Sequence, residues 1–100
     1  MSQLPPQIEG LDWDDWNRDH IKKHAVTQDE VEEVVSAMAI YRASYKNRIA
    51  VTGPAQAGRV LTVVIGESPR EARRYYVFSA RPGSRNERRD YEQQKEGSAS

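Results

Sequence analysis

One hundred residues, 37% of them hydrophobic and 30% charged, bound the chain to one domain with a small core, of the size that a single sheet covered on one side by helices supplies. The absence of cysteine excludes a disulfide framework, thiolate chemistry and any cysteine-based zinc site. No apolar run approaches the ~20 residues of a membrane span, and the N-terminus lacks the basic and apolar regions of a signal peptide, so a soluble cytoplasmic protein is expected. The net charge of zero hides an asymmetry: up to Ile40 nine acids oppose Arg18, Lys22 and Lys23, a balance of −6, and from Tyr41 onward twelve Lys and Arg oppose six acids, a balance of +6. Acidic helices followed by a basic half point to different partners for the two halves, or to charges that only solvate a small domain.

In chain order, Met1 to Gly10, with Pro5-Pro6, reads as an irregular lead-in ending in a short strand around Ile8 to Leu11. Asp12 or Asp14 caps a first helix that reaches about His24. On a helical wheel Trp13, Trp16, Asn17, His20 and His24 share one side, with Ile21 at its edge. Val26 and Thr27 break that helix and begin another. Thr27-Gln28-Asp29-Glu30 has the form of a capping box, Val26 and Val31 that of a hydrophobic staple. Val31, Val34, Val35 and Met38 then recur at i, i+3, i+4, i+7, so the second helix buries one stripe and turns Asp29, Glu32 and Glu33 to water.

After Met38 the pattern becomes extended. Ala39 to Tyr45 and Arg48 to Thr52 pair through a turn at Lys46-Asn47, and Gly53 to Gly58 is a loop. Val60 to Ile65 is a near-continuous apolar run, the candidate central strand. Gly66 to Glu71 turns the chain back into a strand from Tyr75 to Arg81, ended by Pro82. Ser84-Arg85-Asn86-Glu87 is a second Ser/Thr-x-x-Glu capping box opening a last helix, roughly Arg85 to Gln94, with Tyr91 its only large apolar anchor; Lys95 to Ser100 is a polar tail. The expected fold is α+β: one domain over residues 1–94, two helices first, an antiparallel meander of about four strands, and one terminal helix.

Nucleotide-binding and serine-hydrolase glycine motifs are missing. His20 and His24 stand one helical turn apart, a spacing that suits a metal if a carboxylate completes it, a packed pair beneath the tryptophans, or acid–base work near neutral pH. Arg81 leaves a strand end beside a helix N-terminus whose free N–H groups favour anions, and Arg59 immediately precedes the central strand; arginine forks suit phosphate oxygens, although a solvated surface turn fits equally. Nearby aromatics suit stacking on unpaired bases, or, for Tyr75 and Tyr76, one core and one surface residue.

Three stretches in order carry a family resemblance. Trp13-Asp14, Asn17, His20 to Thr27 and Glu30 to Val34 form the first; Gly58 to Val64 the second; Val77 to Arg81 with Glu87-Arg88 and Tyr91 the third. Together they resemble the BrnT-type ribonuclease toxins of bacterial type II toxin–antitoxin pairs. The resemblance implies a RelE-like fold, RNA cleavage without ribosomes, no cofactor, and neutralisation by a ribbon-helix-helix (BrnA-like) antitoxin that alone contacts operator DNA. Ala25 stands where the family usually has glycine, which strains the turn if φ is positive there.

Cleavage of this kind needs no metal: a ribose 2′-hydroxyl attacks the adjacent phosphate while side chains move protons and cations stabilise the transition state. Because Lys23-His24 and Arg81 lie within the matched stretches, His24, with Lys23 or His20 beside it, is the candidate for proton transfer or phosphate contact, and Arg59 and Arg81 are the candidates to hold the phosphate. Arg85, Trp13 and Tyr76 are the candidate RNA contacts. A module that binds RNA or a protein without cleaving, and a purely structural partner with an exposed apolar surface, are the alternatives.

Overall fold

The computed structural model describes residues 7–37, 39–55 and 58–99, with side chains described to residue 94. Strand β1 (Gly10–Asp12) leads into helices α1 (Asp15–Lys22) and α2 (Gln28–Ser36). Strands β2 (Ile40–Ala43), β3 (Ile49–Pro54), β4 (Val60–Glu67) and β5 (Arg74–Pro82) follow, and helix α3 (Arg85–Ala99) closes the chain. The strands form one sheet in the order β1-β5-β4-β3-β2. β2 to β5 make the expected antiparallel meander, with β4 central.

The short strand near the start lies at Gly10–Asp12 rather than Ile8 to Leu11, and it adds a fifth, parallel edge: Gly10, Leu11 and Asp12 pair with Arg74, Tyr75 and Tyr76. Arg74 secures this edge by donating to the Asp12 carboxylate (2.7 Å) and the Leu11 carbonyl (3.1 Å). At the other end of the chain, α3 continues to Ala99, through most of the residues expected as a tail.

Local sequence chemistry explains the helix boundaries. Asp14 caps α1 and Thr27 caps α2, each in a reciprocal capping box with the residue three places on. Val26 and Val31, the staple pair, are both buried. Met38, the expected end of the α2 stripe, lies outside the described residues, as do Gln56 and Ala57 of the β3–β4 loop.

Helix α1 ends at Lys22, two residues short of His24. The Val26 N–H donates to the Ile21 carbonyl and the Ala25 N–H to the Lys22 carbonyl, which is a Schellman closure, and Ala25 takes the left-handed φ of 56° that this motif demands. Ile21 and Val26, which meet across that motif, are each 2% exposed. The expected orientation of α1 is corrected as well. Asn17 and Ile21 are buried, Trp16 is exposed and His20 half-buried, because the Asn17 amide donates to the Asp12 and Val77 carbonyls (2.9 and 3.1 Å) and thereby turns the Trp16 edge outward.

Alternation along the strands sorts the two faces of the sheet. Val51, Leu61, Val63, Ile65, Val77 and Ala80 form the core with Ile21, Val26, Val31 and Val34 of the first two helices. The other face carries Thr52, Thr62 and Arg81; the two threonine hydroxyls bond each other, and Thr62 and Arg81 meet Glu87 of α3 at one end. A bulge between Val64 and Ile65 leaves Phe78 without a paired residue on β4 and lays its ring over Gly66 on that same face. A Cβ on Gly66 would stand 2.7 Å from the Phe78 ring, so the close approach requires glycine.

Candidate functional site

The expected site residues divide between the two faces of the sheet. On the helical side are Trp13, His20, Lys23, His24 and Arg59. Trp13 packs against the core and its indole N–H donates to Glu32 at 3.1 Å, so it braces α1 against α2 and its polar edge is engaged. The His20 ring stacks on Trp16, centroids 4.6 Å apart and planes 11° from parallel. Lys23 and His24 project from the turn between α1 and α2, both exposed. Among the described residues no group of three His, Asp or Glu stands close enough to hold a metal ion.

Arg59 joins that turn to the start of β4. Its Nη2 donates to the Ala25 carbonyl (2.9 Å) and to both Glu30 oxygens (3.0 and 3.2 Å). The backbone N–H of Thr27, followed by Arg59, holds the Glu30 carboxyl below its ordinary range. The guanidinium therefore reaches the residue next to His24, but its fork is filled by a carboxylate of the same chain.

Arg81 has the same character on the opposite face. Its Nη1 and Nη2 donate to the two oxygens of Glu87 at 2.7 and 3.0 Å. Glu87 Oε1 also accepts from the Ser84 N–H (2.8 Å), while Ser84 Oγ accepts from the Glu87 N–H (3.2 Å). The anion position expected at this helix start is thus occupied from within. The Arg81 guanidinium, reinforced by the Ser84 N–H and the Thr62 hydroxyl, pulls the Glu87 carboxyl down to about 2. Arg85, in the first turn of α3, is exposed beside it.

Further along the same face lies a group that sequence patterns did not bring together. The Arg48 guanidinium sits 3.6 Å from the centroid of the Phe78 ring and 5.3 Å from that of Tyr45. Phe78 meets Tyr76 edge to face at 5.0 Å, and the Tyr76 hydroxyl donates to both oxygens of Asp14 (3.0 and 2.9 Å). Ring burial first, then the Asp14 carboxylate, pushes the Tyr76 phenol up to about 12, so it stays protonated. Tyr45 is 65% exposed and Lys46 lies beside its ring. The column is assembled by the β5 bulge and by the tight turn at Lys46 and Asn47 (φ 56° and 61°). That turn was expected; the bulge has no signature of its own in the sequence.

Comparison with known proteins finds no matching family profile, no matching curated protein and no matching solved structure.

Proposed function

We propose that the chain is a BrnT-type ribonuclease toxin of a type II toxin–antitoxin pair, a cytoplasmic, metal-independent endoribonuclease that blocks translation and is neutralised by a ribbon-helix-helix antitoxin. What supports this most directly is the Lys23-His24-Ala25 turn. Ala25, standing where the family usually has glycine, takes a positive φ of 56°, a conformation that glycine adopts freely and alanine only under strain, and Arg59 binds its carbonyl. His24 and Lys23 are exposed there, next to a guanidinium, as proton transfer and charge stabilisation on an RNA phosphate require.

In this mechanism a 2′-hydroxyl attacks the neighbouring phosphorus, the 5′-oxygen leaves with a proton, and a 2′,3′-cyclic phosphate forms. His24, with Lys23 or His20, moves protons or contacts the phosphate, and Arg59 exchanges its Glu30 partner for phosphate oxygens. Arg81, on the other face, acts on the bound strand. The test is incubation of purified protein with defined single-stranded RNA in EDTA, beside His24→Ala and Arg81→Ala. Cleavage by wild type that falls at least 100-fold in His24→Ala is the expected result. Absence of cleavage by folded wild type would overturn the ribonuclease assignment.

A second possibility, a module that binds RNA or a protein without cleaving it, is favoured by one observation: Arg59 and Arg81 both present their forks to internal carboxylates. It would show as RNA binding with no cleavage.

A further inference from the structure

We propose that Tyr45, whose ring centroid lies 5.3 Å from the Arg48 guanidinium, is a platform for an unpaired base of single-stranded RNA, a subsite separate from the residues assigned to proton transfer. It rests on the chain acting on RNA. The first observation is a contrast among guanidiniums. Arg42, Arg74 and Arg81 are ion-paired with Asp90, Asp12 and Glu87. Among the described residues no ion pair engages Arg48 or Lys46. Arg48 instead sets its guanidinium 3.6 Å from the centroid of the Phe78 ring, and among the described residues its side chain makes one long hydrogen bond, of 3.4 Å to the Tyr45 hydroxyl. Among the described residues its charge and most of its N–H donors are uncommitted.

The second observation is the shape of the column. Phe78 is held by Tyr76 and by the bulge, Arg48 covers Phe78, and Tyr45 is the outermost member. Tyr45 stands 65% exposed beside a turn of two left-handed residues, its ring facing solvent outside the core. A flat, cation-backed ring edged by Lys46 matches a nucleobase and its phosphates, since base–aromatic stacking and cationic contacts together hold single strands. An acidic peptide would use the charge but not the ring.

The probe is a 5′-labelled 2′-O-methyl RNA octamer, which lacks the attacking hydroxyl and so reports binding apart from cleavage, followed by fluorescence anisotropy. Tyr45→Ala should weaken binding at least ten-fold and Tyr45→Phe less than two-fold. On an abasic octamer with the same phosphates, Tyr45→Ala and wild type should bind alike, whereas Arg48→Ala should weaken binding to both oligomers. Folding of Tyr45→Ala is checked by its thermal transition, which an exposed side chain should barely move.

Equal binding of the octamer by wild type and Tyr45→Ala would overturn the platform, as would failure of wild type to bind it. So would a polyglutamate peptide that displaces the octamer at equal charge concentration, which would assign the face to an acidic protein. Wild type that cleaves ordinary RNA while Tyr45→Ala binds the octamer normally would leave the ribonuclease assignment standing without the platform. Tyr45-dependent binding without cleavage would do the reverse.

Discussion

Two arginines on one face of the sheet, Arg81 and Arg48, have been satisfied in opposite ways. Arg81 is clasped by Glu87, both oxygens engaged, and the pair ties the last strand to the helix that follows it. Arg48 is carried by a ring, which covers one face of the guanidinium and leaves most of its N–H groups available. A carboxylate partner uses up the features that make arginine a phosphate ligand; an aromatic partner preserves and aims them. The difference separates a cation whose donors are engaged within the chain from one whose donors are mostly open, and residue type alone does not reveal it.

The largest effect is expected where the clasp is broken. Glu87→Gln keeps the shape of the capping box and removes the charge, so it should cost about 1–2 kcal/mol at pH 7, a value lowered for screening because the Arg81 side chain is 40% exposed. Urea unfolding measures this directly. Its pH dependence follows from the depressed carboxyl, shifted from 4.5 to about 2. A group whose folded pKa lies below its unfolded value stabilises the fold fully above the unfolded pKa and loses that contribution as pH falls through the folded one. The gap between wild type and Glu87→Gln should therefore be constant above about pH 5 and shrink from pH 4.5 towards pH 2. A gap that persists unchanged at pH 2 would mean that Glu87 acts through packing and not charge.

Much of the fold was readable because its determinants are local. Thr27 with Glu30 and Ser84 with Glu87 sit three residues apart, and both boxes form. The Lys46-Asn47 turn and the apolar run of β4 are likewise written in adjacent residues. What escaped depends on residues far apart in the chain. The parallel β1 pairs across more than sixty positions, and the rotation of α1 is set by Asn17 reaching the Val77 carbonyl. The division of Arg59 and Arg81 between faces follows from strand parity around a loop whose length carries no period. The Glu87 clasp was within reach of local reasoning, since the carboxylate that completes the cap is the one that faces Arg81; a cap acid near a strand-end arginine is a candidate partner before it is an anion site.

A smaller effect belongs to the third arginine, Arg59, which stands between the two cases because it binds both a carboxylate and the Ala25 carbonyl. Ala25 at φ 56° carries the strain of a left-handed alanine. Ala25→Gly should relieve it and raise stability by about 1 kcal/mol, seen as a higher urea midpoint with unchanged slope. On the proposed ribonuclease reading, cleavage by that variant should be at least as fast as wild type, because the carbonyl that Arg59 holds is retained. A destabilised variant would show that packing of the Ala25 methyl outweighs the backbone strain.

The smallest stability effect should come from Arg48, and its smallness is the point of the comparison. Arg48→Met keeps a long apolar stem against Phe78 and Gly66 and deletes the cation, so the loss is confined to the cation–π contact, about 0.5–1 kcal/mol for a partly exposed pair. Thermal unfolding should move by a few degrees at most. Set beside Glu87→Gln, this would show that the chain stands to lose less by giving up the Arg48 charge than by unlocking Arg81. A cation that contributes so little to the fold, yet is set against a surface aromatic, has its donors open to a ligand. A loss of 2 kcal/mol or more in Arg48→Met would reverse that inference and return the column to the fold.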